Sequence, residues 1–197
     1  MNGEGGSNLL NQVKVKSVLF DSMERLFFHD FYTYQHSLRV ADLLYKFGHF
    51  MNLNDTLLNE LFELGTLHDI GKLEIPTDIL NKNIPLKKNE RKLFFKHTIN
   101  GYELLKNRNY SNTFLYGLLY HHENFDGTGY PYEISGMRIP LQARMLRIVD
   151  SYDAMTNDRS YQKAYTHDKA LYEINCLSGK HYDSRLVEKF LKMMENK

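Results

Sequence analysis

No disulfide can form within this chain, because its 197 residues include a single cysteine, Cys176. A lone thiol in a helix-like stretch fits a reducing compartment. Tryptophan is missing, so the aromatic part of any core must come from 14 tyrosines and 12 phenylalanines. No apolar run approaches the roughly 20 residues that a membrane-spanning helix needs, and the N-terminus lacks a secretory hydrophobic region. Neither sign of charge dominates, with 25 Lys and Arg against 24 Asp and Glu. That balance removes the basic field of a duplex nucleic-acid binder and the acidic field of a metal buffer. Convincing strand patterns and internal repeats are also lacking. These absences leave a soluble cytoplasmic domain as the expectation, in a chain long enough for one sizeable core.

What is present is helical periodicity. Residues 1–9, opening MNGEGGSN, read as a disordered linker or tag. Residues 10–197 read as one domain, with its core over about 34–160 and C-terminal helices over 166–196. A first helix is expected from Leu10 to Phe28. A second runs from about Thr33 to Phe50, with Leu38, Ala41, Leu44, Tyr45 and Gly48 as its buried stripe. Asn54 caps a third helix, which carries His68 and Asp69 near its end and stops at Gly71. Pro76 suits the first position of a short helix. A long helix is expected over Lys87–Leu105, with His97 near its middle, and another over Leu115–His122. Glu123–Pro131 is rich in turn residues and reads as a loop. Pro140 opens a helix to Thr156 carrying Asp150 and Asp153, and Thr166 and Asp183 cap the last two. The last helix shows the stripe Leu186, Val187, Phe190, Leu191 and Met194. The fold class is an all-α bundle with one long loop.

The chemistry lies in the side chains such a bundle would gather. His36, His68, Asp69, His97, His121, His122 and Asp150 sit on or at the ends of five expected helices. Helical bundles build metal sites from inward side chains on facing helices. Singly, each residue has an ordinary explanation: a buried hydrogen-bonded histidine, or a solvated helix end. Asp150, within the apolar run Leu146, Ile148, Val149, needs a partner if buried. His68 and Asp69 leave a helix about 100° apart, which suits neighbouring ions better than a shared one. A carboxylate can bridge two cations, so Asp69 is the natural bridge. Seven such ligands exceed one ion's need and match two. Imidazole with carboxylate suits Fe, Mn, Ni, Co or Zn better than Ca or Mg. Paired metals are a recurring device for phosphoester hydrolysis. His29, His49, His167 and His181 read as structural or surface residues.

Taken in order, HSLRV, HDIGK, KHTINGYELL, YHHENFDGTGYP, IPLQARMLRIVDSYDAMTNDRSYQKA and HYDSRLVEKFL resemble the HD-GYP family from about Tyr34 to the C-terminus. That family is a branch of the HD metal-dependent phosphohydrolases. The resemblance implies an all-α fold and hydrolysis of cyclic di-GMP, through pGpG towards GMP, by a hydroxide held between two metal ions. It assigns His36, His68, Asp69 and Asp150 to one ion. His97, His121, His122 and the bridging Asp69 fall to the other. Fe or Mn is the leading expectation, with Ni, Co or Zn as alternatives. Lys72 matches the lysine that neutralises the scissile phosphate or assists the leaving oxygen. Arg159 matches an arginine on the dinucleotide phosphate, with Gln162, Lys163 and Asp153 on the same substrate side. Gly129-Tyr130-Pro131 is the signature loop, tied to the shape of the substrate site and to partner domains such as a GGDEF domain.

The chain departs from the family at two places. A third metal in some members uses a glutamate where this chain has Tyr32, so two ions are expected. The usual basic residue three positions after the arginine is Gln162, which bears on phosphate affinity and guanine preference. Two further readings stand beside cyclic di-GMP hydrolysis. One is an enzyme for another substrate, such as cyclic GMP-AMP. The other is a receptor that binds the dinucleotide without turning it over. Phe27, Phe28 and Phe31 are candidates for a homodimer contact or for an upstream sensor domain.

Overall fold

The computed structural model describes residues 18–158 and 163–195. The helices in chain order are α1 (18–29), α2 (Phe31–Phe50), α3 (Asp55–Leu67), α4 (Thr77–Leu80), α5 (Lys88–Phe95), α6 (His97–Leu105), α7 (Asn112–Tyr120), α8 (Leu141–Thr156), α9 (His167–Cys176) and α10 (Ser184–Glu195). Short 3-10 turns lie at Ile70–Glu74 and Gly136–Arg138. There is no strand among the described residues; a lone bridge joins Ser178 and Tyr182. The all-α expectation holds. Residues 1–9 and most of the stretch expected to begin the first helix lie outside the described residues.

Local chemistry sets most boundaries. Asp30, Asn54, Ser111 and Thr166 each accept a backbone N–H of the first turn, at Thr33, Leu57, Phe114 and Lys169. A side-chain oxygen there satisfies a donor that the helix itself cannot. Asp183 does the same for Arg185 N–H at 3.0 Å. Pro76 and Pro140 stand at the capping position, one residue before the place expected for Pro76. The helix expected from Leu115 begins at Asn112, because Ser111 supplies its cap.

The core lies where α2, α3, α7 and α8 meet, with Leu44, Phe47, Leu61, Leu64, Leu67, Leu118 and Leu146 fully buried. α10 closes one side, its Phe190 ring edge-on to Phe47 at 5.3 Å. Arg144 on α8 forms a buried ion pair with Asp183 at the start of α10. Gly65 allows α2 and α3 to approach closely: a Cβ there would lie 2.6 Å from the Ala41 Cα. That approach sets the His36 and His68 rings 5.2 Å apart.

Three expectations need correction. Leu38 and Tyr45 do not belong to the buried face of α2; they are 41% and 38% exposed. The buried face runs through Thr33, His36, Ser37, Val40, Ala41, Leu44 and Phe47. Its first turns are polar because they line a site, so a stripe drawn through apolar residues alone lands one row off. The helix expected over Lys87–Leu105 is two helices, broken at Lys96. At the break, the His97 ring takes the Phe94 carbonyl at 2.8 Å, and the Thr98 hydroxyl reaches that of Phe95 at 3.4 Å. Those side chains compete for carbonyls that a continuous helix would use. Finally, α3 stops at Leu67, so His68 caps the helix and Asp69 leads into the 3-10 turn.

Gly71 does not end α3; it lets the 3-10 turn press against α6. A Cβ on it would collide with the His97 carbonyl and the Gly101 nitrogen, both backbone atoms. Gly71→Ala is expected to lower unfolding free energy by about 1–3 kcal/mol or more, the usual cost of overpacking a rigid contact. Urea denaturation of both proteins, metal-free, measures it.

Candidate metal centre

Five helices converge on one cluster. His36 comes from α2, His68 and Asp69 from the end of α3, His97 from the start of α6, His121 and His122 from the end of α7, and Asp150 from α8. His68, His97 and His121 are fully buried, and His36, Asp69 and Asp150 nearly so. His122 is half-buried.

The histidines are aimed by their own helices. Nδ1 of His68 donates to the Gly65 carbonyl at 2.7 Å, that of His97 to Phe94 at 2.8 Å, and that of His121 to Leu118 at 2.7 Å. A carbonyl can only accept, so each Nδ1 carries the proton and each Nε2 is left with a lone pair. His36 Nδ1 donates to Asp153 Oδ2 at 2.6 Å. Arg39 holds that same carboxylate through two hydrogen bonds of 2.8 and 2.9 Å, and Asn157 adds a third at 3.0 Å. Asp153, expected on the substrate side, is therefore engaged by the protein itself and orients His36.

Asp69 divides its two oxygens. Oδ2 lies 3.3 Å from His68 Nε2 and 3.7 Å from His36 Nε2, while Oδ1 lies 3.5 Å from His97 Nε2. Lys72 Nζ donates to Oδ2 at 2.6 Å and rests 5.4 Å above the Phe94 ring. His97 Nε2 and His121 Nε2 face each other at 3.4 Å. Asp150 Oδ1 stands 3.1 Å from His36 Nε2 and 4.0 Å from His68 Nε2.

These residues fit metal cations. Facing lone pairs beside a buried carboxylate repel one another unless positive charge lies between them. His68 Nε2 and Asp69 Oδ1 are buried with no hydrogen-bond partner among the described residues. Ligand atoms of Asp69, His97, His121 and His122 all lie within 4.8 Å of one another, and so do those of His36, His68 and Asp69. Asp150 belongs to neither tight group and approaches through His36. Imidazole and carboxylate donors of this kind suit first-row transition metals.

Protonation follows burial and neighbours. Burial pushes the His97 imidazole down to about 4 and that of His121 down to about 3, and drives His122 well below its ordinary value. For Asp69, burial favours the neutral acid, but Lys72 and His68 outweigh it and hold the carboxyl well below the usual range. Burial opposes ionisation of Asp150 as well, and the hydrogen bond with His36 reverses the balance. His36 is the exception among the imidazoles. Burial lowers it, yet hydrogen bonds to Asp150 and Asp153 raise it overall.

The remaining expected site residues are spread around this cluster. Tyr130 of the Gly129-Tyr130-Pro131 loop is sandwiched between Phe95 and His122, and the Tyr130–Pro131 peptide is cis. Lys163 is exposed. Arg159 and Gln162 lie outside the described residues. The Tyr32 ring lies parallel to His36, 6.4 Å away. Two residues near the site carried no expectation. Arg39 secures Asp153, and its spacing three residues after His36 was the available signal. Glu123 is buried at 2% exposure and accepts Tyr132 N–H at 2.7 Å; an acid directly after two histidines marked it.

A family model described as HD domain matches residues 21–186. The chain belongs to the HD domain family. With Gly-Tyr-Pro intact at 129–131, this HD domain is of the HD-GYP type. A cyclic di-GMP phosphodiesterase of Pseudomonas aeruginosa is 38% identical to it over 172 residues, covering 87% of this chain and 41% of that protein. A cyclic di-GMP phosphodiesterase of Thermotoga maritima is 35% identical over 169 residues, covering 84% of this chain and 46% of that one. The HD domain thus spans less than half the length of these curated relatives. In fold it is similar to the HD domain of an L. monocytogenes phosphodiesterase solved in complex with cyclic-di-AMP. The TM-score is 0.66 at 18% identity, over 88% of this chain and 93% of that one.

The metal-free HD domain should be acid-sensitive in a defined window. An unfolded histidine binds its proton near pH 6.5, whereas His97 and His121 resist protonation until about 4 and about 3. Between those limits the unfolded chain binds more protons, so stability falls as pH is lowered. Asp69 and Asp150, with lowered folded values, add stability above their unfolded value near 4 and lose it below. His36 works the other way: its contribution is present below 6.5 and fades as pH rises through its raised folded value. The expected net loss from pH 6.5 to 4 is on the order of a few kcal/mol. Urea midpoints in chelator-treated buffers check it.

Proposed function

We propose that this HD domain is a phosphodiesterase that hydrolyses cyclic di-GMP to pGpG and GMP with two divalent transition metals, Fe or Mn before Ni, Co or Zn. The observation that carries the reading is Asp69, whose two oxygens face separate histidine groups. His97, His121, His122 and one oxygen of Asp69 would hold one ion. His36, His68 and the other oxygen would hold the second, with Asp150 beside it. When bound, such a pair supplies water activated at neutral pH and positive charge against the transferring phosphoryl group. The similarity to two named cyclic di-GMP phosphodiesterases supports the substrate class.

The chain's own side chains do the rest. Lys72 brings a compact ammonium to the edge of the cluster, where it can meet a phosphate oxygen or protonate the leaving one. The imidazoles of His97, His121 and His122, lowered by burial, need no deprotonation before they bind metal. Arg159, with Lys163 four positions on in the sequence, would take a second phosphate of the dinucleotide in bidentate fashion. The chain would work in the cytoplasm, where exposed Cys176 stays reduced. Exposure of Phe27, Phe28 and Phe31, at 42%, 79% and 51%, supports a homodimer or sensor contact there. A GGDEF partner on the loop would meet Tyr132 and Met137, which are 58% and 63% exposed, before it met Tyr130.

The test is turnover of cyclic di-GMP and cyclic GMP-AMP side by side, on protein loaded anaerobically with Fe or Mn. Cyclic di-GMP should be the faster substrate, with pGpG appearing before GMP. Faster cyclic GMP-AMP cleavage would reassign the substrate. Metal uptake with tight dinucleotide binding and no product would make the domain a receptor. Asp69→Ala should lose metal and turnover together. Lys72→Met should keep its metal and lose kcat by about 10²–10³-fold, as expected when one charge-stabilising donor is removed.

A further inference from the structure

His122 is oriented differently from its neighbours. His68, His97 and His121 are each locked by an Nδ1 hydrogen bond to a carbonyl three residues back. Among the described residues, neither ring nitrogen of His122 makes a hydrogen bond. Rings touch it instead: His121 at 4.2 Å, His97 edge-on at 5.0 Å, and Tyr130 at 4.9 Å with planes only 27° apart. Tyr130 in turn lies flat on Phe95, at 4.0 Å and 12°. It is the middle ring of a stack that runs from the end of α5 to the end of α7.

The loop is fastened so that this ring cannot leave. Tyr130 N–H donates to the His122 carbonyl at 3.2 Å. Two residues on, Tyr132 N–H donates to the buried Glu123 carboxylate at 2.7 Å. A histidine lacking a hydrogen bond can turn about a soft ring torsion. A flat surface held against its face removes that freedom.

We propose that the Tyr130 ring, backed by Phe95, is the positioning residue for His122, replacing the hydrogen bond that the other histidines use. This inference rests on the two-metal reading above and assigns a different task to the signature loop. Both faces of Tyr130 are covered by protein, so its aromatic plane acts on a ligand and not on substrate or a partner domain. The phenolic hydroxyl has no part in this, so phenylalanine should serve equally well.

The experiment titrates the chelator-treated 197-residue chain anaerobically with Co²⁺, reading bound metal by elemental analysis and ligand geometry by the visible spectrum. Wild type, Tyr130→Phe and Tyr130→Leu are compared, with thermal unfolding as the check on folding. Tyr130→Phe should match wild type. Tyr130→Leu should fold and keep its first equivalent, bind the second about 10–100-fold more weakly, as for lost ligand support generally, and change the cobalt band of that equivalent. Wild-type affinity and spectrum in Tyr130→Leu would overturn the proposal, as would equal losses in Tyr130→Leu and Tyr130→Phe. If Tyr130→Leu fails to fold, Phe95→Leu decides, since Phe95 is 36% exposed and only backs the stack. A weaker second equivalent there supports the proposal, and an unchanged one overturns it. A wild-type chain that takes up no cobalt overturns the two-metal reading itself, a result separate from metal uptake shared by all variants.

Discussion

One buried carboxylate constrains the rest of this molecule. Asp69 is 2% exposed, and burial alone would push it towards the neutral acid. An isolated buried charge is costly, by several kcal/mol even after relaxation. Lys72, His68 and His97 offset that cost. The junction of α3 with its 3-10 turn carries both the anion and its nearest cation, Lys72, while α6 brings His97 against it. Helix placement and site chemistry are in this sense one problem. Gly65 and Gly71 mark where the backbone had to come close enough to solve it.

The site is preorganised, mostly through contacts within single turns of helix. The proton on Nδ1 is assigned at three histidines by a carbonyl acceptor, and the lone pair on Nε2 follows from that. His36 uses a carboxylate for the same purpose, which explains why Asp153 faces α2 and why Arg39 lies beside it. A carboxylate partner makes an imidazole more basic than a carbonyl partner does. The two histidine groups therefore differ in character, although the residue type is shared.

Most of this is legible in the amino-acid sequence. The helical class, the caps at Asn54 and Thr166, and the membership of His36, His68, Asp69, His97, His121, His122 and Asp150 in one neighbourhood followed from periodicity, motif order and resemblance. What escaped was geometry that arises only when elements meet. Leu38 and Tyr45 were misplaced because the buried face of α2 is polar where it lines the cluster. The break at Lys96 was hidden because His97 and Thr98 take carbonyls from a helix whose composition is unremarkable. Asp153 was set on the substrate side because a residue one turn from a ligand on the same helix gives no hint of what faces it. Arg39, on another helix, faces it.

The hydrogen bonds that aim His68, His97 and His121 each close over three residues of one chain segment. Nothing in them depends on which neighbour packs against the far side of the helix. Mutational drift can thus remodel the contacts between helices while the lone pairs keep their bearing. A scaffold built in this way separates its heritable chemistry from its adjustable shape.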